Sequence, residues 1–261
     1  MIRCKFVKPV MWNRMLLHQK IGYTFPYYTP EFGPYIDKIE AKRIVKEMVG
    51  DAIEVAPIVR ILDGPADLRQ EDINVNYIIK SSHASNRNIN IKSGVEYNLA
   101  ELRTKLEGFS SSYYDYLKEG QYRFVKPRFY IEEKIVDYST GRSGSAITFM
   151  VYCIHGKPTA LIMMEYALDR YRHFAIDSTF AMKQIAIRGQ IYHDFKMPGD
   201  AIFNSMFTLA TRLSKPFEFV RVDFYLGQDE KIYFSEFTFT PHSGKVVFPR
   251  DVEAQFGALW T

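Results

Sequence analysis

Two acids and an arginine carry the most chemistry in this 261-residue chain. They stand in the segments Phe219-Val-Arg-Val-Asp-Phe-Tyr225 and Ile232-Tyr-Phe-Ser-Glu-Phe-Thr-Phe-Thr240. Both segments alternate in type, the period of a half-buried strand. Gly227-Gln228-Asp229-Glu230 between them is a polar loop suited to a hairpin. Pairing Tyr225 with Phe234 sets Asp223 opposite Glu236 and Arg221 opposite Thr238. One face then carries Arg221, Asp223, Glu236, Thr238 and Thr240. The other, a core face, carries Val220, Val222, Phe224, Leu226, Tyr233, Phe237 and Phe239. Opposed residues have Cβ atoms about 4.5–5.5 Å apart, where like charges repel. Two carboxylates so placed suggest a cation between them, and hard oxygen donors favour Mg²⁺ or Ca²⁺. Arg221 could neutralise an anion held by that metal. The alternative is a solvated hairpin face with a cross-strand arginine–acid pair.

A second candidate is Val75-Asn-Tyr-Ile-Ile-Lys80, a short buried strand that runs into Ser81-Ser-His-Ala-Ser-Asn-Arg-Asn88. A lysine followed by a loop of small hydroxyl and amide residues is a workable phosphate cradle. Its plainer reading is an exposed lysine before a flexible loop.

Other elements must position these groups. Val10–Lys20 predicts a short amphipathic helix docked on the protein's own core, and residues 21–36 an ordered loop dense in Tyr, Phe, Pro and Gly. Asp37 is a fitting N-cap with Glu40 in capping-box position, for a helix to about Val49 closed by Gly50. Ile39, Ile44, Val45 and Met48 form its apolar stripe, with Lys38, Lys42 and Arg43 largely off it. Strands are expected at Pro57–Leu62, Ile89–Lys92 and Phe129–Val136. A hairpin turning at His155-Gly156 joins Ala146–Ile154 to Thr159–Met164. Helices are expected at Leu99–Gly108, Ser112–Gly120, Asp200–Leu213 and Asp251–Trp260. Residues 165–197 read as mixed strand and loop without clear placement. The order gives an α+β fold rather than a doubly wound sheet.

Composition bounds the function. The chain is 47% hydrophobic and 25% charged with net charge +4, an ordinary globular composition. No run of five basic residues indicates a nucleic-acid tail, and no apolar run reaches the 18 residues of a membrane span. Cys4 and Cys153 form no framework or metal motif, which points to the cytoplasm. No convincing Ser-His-Asp triad is present. The six histidines are scattered, with His83 and His242 the ones worth testing.

Five pieces in order resemble the ATP-grasp superfamily, and within it the TupA-like branch named for teichuronopeptide synthesis. They are the Asp37-Lys38 helix start, Asn76-Tyr-Ile-Ile-Lys-Ser-Ser-His-Ala-Ser85, Ile131-Glu-Glu-Lys-Ile135, Cys153-Ile-His-Gly-Lys-Pro158, and Arg221-Val-Asp-Phe-Tyr225 with Ser235-Glu-Phe-Thr-Phe-Thr-Pro241. The resemblance covers roughly Tyr35 to the C-terminus. It implies two α+β subdomains gripping a nucleotide between antiparallel sheets. A lead-in would occupy residues 1–74, the small subdomain 75–134 and the large one with the metal site 135–261.

By position, the resemblance implies that Lys38 and Lys80 hold ATP phosphates beneath a loop of Ser82, His83 and Ser85. Glu132, Glu133 and Ile135 would meet adenine, largely through backbone atoms, with Thr148 on the neighbouring strand. Asp223, Glu236 and Thr238 would bind Mg²⁺, and Arg221 would steady the acyl phosphate. Ser243, Gly244 and Lys245 would touch the acceptor. The sequence departs from the pattern twice. Thr238 stands where many ATP-grasp enzymes have Asn, which leaves one or two Mg²⁺ open. Thr148 and Met150 replace polar residues, which leaves the base preference open.

The implied function is an ATP- and Mg²⁺-dependent carboxylate–amine ligase in surface polysaccharide or peptide-conjugate synthesis. Its partners would be ATP, a carboxylate such as a uronic acid or peptide, and an amine donor, with a homodimer open. A small-molecule kinase and a degenerate nucleotide-binding scaffold are the alternatives. A glycosyltransferase is a further and weaker alternative, because no Asp-x-Asp pair of the kind that often holds a sugar-nucleotide metal stands out.

Overall fold

The computed structural model describes residues 2, 4–166, 168–187 and 196–261. The N-terminal part holds α1 (Leu17–Thr24), α2 (Gly33–Ile36), α3 (Lys38–Val49), β1 (Glu54–Val55) and β2 (Ile58–Leu62). Then come β3 (Tyr77–Ser81), β4 (Asn88–Asn90), α4 (Leu99–Phe109), α5 (Tyr113–Leu117) and β5 (Phe129–Glu133). The remainder is β6 (Thr148–Ile154), β7 (Lys157–Glu165), β8 (Arg170–Ile176), β9 (Met182–Gln184), α6 (Asp200–Ser214), β10 (Phe219–Leu226), β11 (Ile232–Thr238) and α7 (Arg250–Leu259).

The strands form two sheets, in the orders β1-β11-β10-β6-β7-β8-β9 and β2-β5-β3-β4. Every pairing is antiparallel except β1 with β11. This is the α+β architecture expected. The smaller sheet takes β2 from the segment before residue 75.

The larger sheet is covered on both faces, which is why β6 reads as a continuous apolar run. Phe149, Val151 and Cys153 share a core with Val45 of α3 and Met206, Phe207 and Ala210 of α6. Met150, Tyr152 and Ile154 share another with Trp12 and Leu17 near the N-terminus and Phe256 and Trp260 near the C-terminus. The smaller sheet buries Ile79, Ile89 and Ile131 against Leu102 and Leu106 of α4. The β6–β7 turn is the expected His155-Gly156, with both φ angles positive (47° and 75°), as a two-residue type I′ hairpin demands.

Several expectations change. The N-terminal helix starts later, at Leu17, and short helical turns interrupt the loop over 21–36. Residues 165–197 include β8 and β9, while 188–195 lie outside the described residues. Lys42, expected off the buried stripe of α3, is buried because its ammonium meets Glu132 and the Ala56 carbonyl.

The hairpin keeps Arg221 opposite Thr238 and Asp223 opposite Glu236, but a bulge follows. Phe224 then pairs with Phe234, and Tyr225 with Tyr233 instead of Phe234. The extra residue moves Phe234 into the core and leaves Tyr233 half-buried, its hydroxyl donating to Asp229 Oδ2 at 2.9 Å.

Candidate active site

The two sheets face a cleft with a cavity of about 380 Å³. Lys38 of α3, Lys80 of β3, Glu132 of β5, Thr148 of β6, Asp223 of β10 and Glu236 of β11 all line it. Residues more than 190 positions apart thus meet because each sits at a defined register of a paired strand or helix end. Asp223 lies beside Met150, Arg221 beside Tyr152 and Tyr225 beside Thr148 across the β10–β6 pairing.

Lys38 is set by its helix. Asp37 caps α3 by accepting from the backbone N–H groups of Ile39 (2.9 Å) and Glu40 (3.4 Å), and Arg128 Nη2 donates to its other oxygen at 2.7 Å. The next residue, Lys38, then points its ammonium at Glu236 Oε2 (3.1 Å) and the Ala84 carbonyl (2.8 Å). Glu40 pairs with Arg128 and Arg43 instead of closing a capping box.

A buried triad forms the other wall. Glu132 is 3% exposed and accepts from Lys42 on one oxygen and from Lys80 on the other at 2.6 Å. Burial pushes the Glu132 carboxyl up, but Lys80 and Lys42 more than offset this and hold it below its usual range. Burial lowers Lys42; burial also pulls Lys80 down, but Glu132, with Tyr225 and Glu236, more than offsets this and raises it.

At the hairpin, Arg221 forks onto Asp223 through Nε (2.7 Å) and Nη2 (2.5 Å), and Nη2 also donates to Thr238 Oγ1 at 3.2 Å. Thr238 Oγ1 donates to Glu236 Oε1 at 3.1 Å. Burial raises the Asp223 carboxyl to about 6 against the pull of Arg221, and Glu236 adds to the rise. Burial also raises Glu236, but Lys38 and Arg221 bring it below its ordinary value.

The donor set suits a hard divalent cation. Buried Asp223 and half-buried Glu236 oppose each other across a strand pair, Asp223 at a raised pKa, and a cation between them would relieve that strain. Asp223 and Glu236 would hold Mg²⁺. Thr238 is committed to Glu236 and Arg221 in this arrangement. Among the described residues there is no group of three or more His, Cys, Asp and Glu side chains that could hold a metal, so an ion here must complete its shell with other oxygens.

The expected nucleotide residues divide. Ser85, Glu133 and Ile135 line the cavity with Lys38, Lys80, Glu132 and Thr148. Ser82 and His83 do not. Ser82 is buried with its hydroxyl on Asp37 Oδ2 (3.5 Å), and the His83 ring lies between Ser81 Oγ (2.8 Å) and the Phe109 carbonyl (3.0 Å). They shape the loop from behind. Glu132 also departs from a backbone role, because its side chain joins two lysines.

A second cavity of about 500 Å³ adjoins the first and shares Ser85, Asn86, Tyr166 and Glu236 with it. Arg221, Thr238 and Ser243 line it, whereas Gly244 packs toward Gly22 of α1 and Lys245 is exposed.

Reasoning from sequence missed Lys42 and Arg128. The spacing of Lys42, one turn after Lys38 on the same helix, was the available signal. Arg128 gave none, since its partner Asp37 lies 91 residues away.

Three solved structures are among those similar to this chain. Biotin carboxylase from Campylobacter jejuni matches with a TM-score of 0.50 at 13% identity, over 87% of this chain and 46% of that one. The ATP-grasp ligase PsnB matches at 0.47 with 10% identity, over 90% and 62%. D-alanyl-alanine synthetase A from Vibrio cholerae matches at 0.44 with 14% identity, over 86% and 63%. The chain thus spans less than two thirds of the length of each. No curated protein matches it. The family model described as TupA-like ATPgrasp matches residues 24–261, and the chain belongs to that family.

Proposed function

We propose that this protein is an ATP- and Mg²⁺-dependent ligase that joins a carboxylate to an amine. The observation that carries the reading is the convergence of Lys38, Lys80, Glu132, Asp223 and Glu236 on one cleft, with Lys42 paired to Glu132 and Arg221 to Asp223 behind them. Family membership adds support. Residues 75–134, joined by β2, and residues 135–261 would be the two subdomains that close on the nucleotide.

A carboxylate is a poor electrophile. Accepting the γ-phosphoryl group of ATP turns it into an acyl phosphate and releases ADP. A neutral amine then attacks the carbonyl carbon, phosphate leaves, and the amine's proton goes to solvent. Little covalent chemistry falls to the protein, so its contribution is positioning and charge neutralisation. Lys38 and Lys80 would bind the phosphates, with Lys42 left to hold Glu132 when Lys80 turns to them. Glu133 and Ile135 would lie against adenine, with Thr148 near the sugar. Arg221 would leave part of its fork on Asp223 to steady the acyl phosphate. Mg²⁺ held by Asp223 and Glu236 would supply charge neutralisation at the β- and γ-phosphates. The carboxylate and amine would enter by the second cavity past Ser243. A uronic acid or peptide carboxylate, in cell-surface polymer synthesis, fits the branch.

The test is ADP release with a panel of uronic acids and peptides, using hydroxylamine as a generic amine. A ligase releases ADP only with both partners and yields a hydroxamate. A kinase releases ADP with one partner and leaves a stable phosphorylated product. Failure to bind nucleotide at all refutes both and leaves the scaffold.

A further inference from the structure

The second cavity ends in a group that the nucleotide chemistry does not use. Glu119 stands just before the 3₁₀ turn Gly120–Phe124 and is 2% exposed. Its Oε2 accepts from Gln121 Nε2 at 3.0 Å and from Thr240 Oγ1. Oε1 receives no hydrogen bond, and no lysine, arginine or histidine pairs with the carboxylate among the described residues. Beside it, Gln121 Oε1 is buried without a donor. A buried carboxylate lacking a cation is costly to the fold and is found where something else supplies the charge.

What it faces narrows the ligand. Glu119 lines the 500 Å³ cavity with Tyr113 and Tyr122, whose rings meet edge to face at 4.8 Å. An ammonium group offers three donors and no acceptor, so it satisfies Oε1 and its charge together. Aromatic faces favour the same cation. A ligand carboxylate would be repelled, and a hydroxyl would leave the charge unpaired.

Position matters as well. Glu119 lines the second cavity and not the first, Asp223 lines the first and not the second, and Glu236 lines both. The Glu119 end therefore lies on the side of Glu236 away from Asp223. We propose that Glu119 with Thr240, Tyr113 and Tyr122 is a binding site for a second ammonium group on the amine substrate, one that stays unreacted and fixes the molecule's orientation. The amine class is then a diamine or a basic amino acid. This rests on the ligase reading.

The experiment compares pentane-1,5-diamine with pentane-1,5-diol, titrated calorimetrically into the wild type and Glu119→Gln, with ADP and Mg²⁺ titrated separately. The wild type should prefer the diamine by at least about tenfold, the worth of one charge-assisted hydrogen bond. Glu119→Gln should lose that preference while ADP affinity holds. Tyr122→Leu should reduce the preference without abolishing it, which keeps the test open if Glu119→Gln folds poorly. Equal binding of diamine and diol, a diamine affinity unchanged in Glu119→Gln, or no diamine binding to the wild type overturns the proposal. A preserved diamine preference with no ADP binding sustains the site and refutes only the nucleotide reading.

Discussion

Replacing Lys42 by Met removes one of the two cations on buried Glu132 while keeping most of the side-chain volume. Two losses follow. The Ala56 carbonyl, bonded to Lys42 Nζ at 2.8 Å, is left without that donor, at about 1–3 kcal/mol for a buried unsatisfied group. Glu132 keeps Lys80, so the about 3–5 kcal/mol of a fully stranded buried charge is not reached. Relief of the Lys42 desolvation offsets part of the remainder, which leaves a net cost of about 2–4 kcal/mol. With an unfolding entropy of about 2.1 cal/mol/K per residue, the 261-residue chain should lose roughly 4–7 °C in Tm. ATP should also bind more weakly, because Lys80 could reach a phosphate only by leaving Glu132 alone. Scanning calorimetry of Lys42→Met, Glu132→Gln and the double variant checks the coupling. The Lys42 substitution should cost much less once Glu132 is neutral. Equal costs in both backgrounds, or unchanged Tm and ATP affinity, would refute the triad argument.

Further outcomes are expected. Asp223 has a folded pKa of about 6, above the usual carboxylate value. An acid raised on folding destabilises once ionised, so the ligand-free protein loses this contribution as pH rises from about 4 through about 6. Mg²⁺ needs the ionised form, so its affinity should fall about tenfold per pH unit below about 6; calorimetric titrations at about pH 5 and about pH 7.5 check it, and equal affinities contradict it. Gly257→Ala in α7 would put a Cβ 2.4 Å from the Met15 carbonyl oxygen. The helix-propensity gain of about 1 kcal/mol is smaller than the usual upper cost of overpacking, about 3 kcal/mol, so Tm should drop by a few degrees; a rise would show that α7 and the N-terminal segment part readily.

The hairpin was legible because its alternation put two acids and an arginine on one face, and the structure keeps that face. The bulge also has a signal in the sequence. Ile232 and Phe234 are two apart, but the next core residue, Phe237, comes three later, and that slip reverses the facing of Tyr233 and Phe234. Lys42 was hidden by its type, since lysine on a helix reads as solvent-facing and is rarely buried unless paired. The pairing partner lies 90 residues on. Strands β8 and β9 were obscured because Arg170, Arg172 and His173 break the apolar pattern near a half-exposed edge. Glu119 was out of reach, because its meaning depends on Thr240, 121 residues away. What local pattern encodes was readable, and what only tertiary pairing creates was not.

The proposed function depends on Asp223 and Glu236 making the cleft a Mg²⁺-dependent nucleotide site. Calorimetric titration of ATP into the wild type and Glu236→Gln, with and without Mg²⁺, tests it most directly. Binding that Mg²⁺ strengthens in the wild type is expected, with a Mg²⁺ effect that largely vanishes in Glu236→Gln while the fold stays intact. ATP binding that ignores Mg²⁺, or a Mg²⁺ effect equal in both proteins, would contradict it.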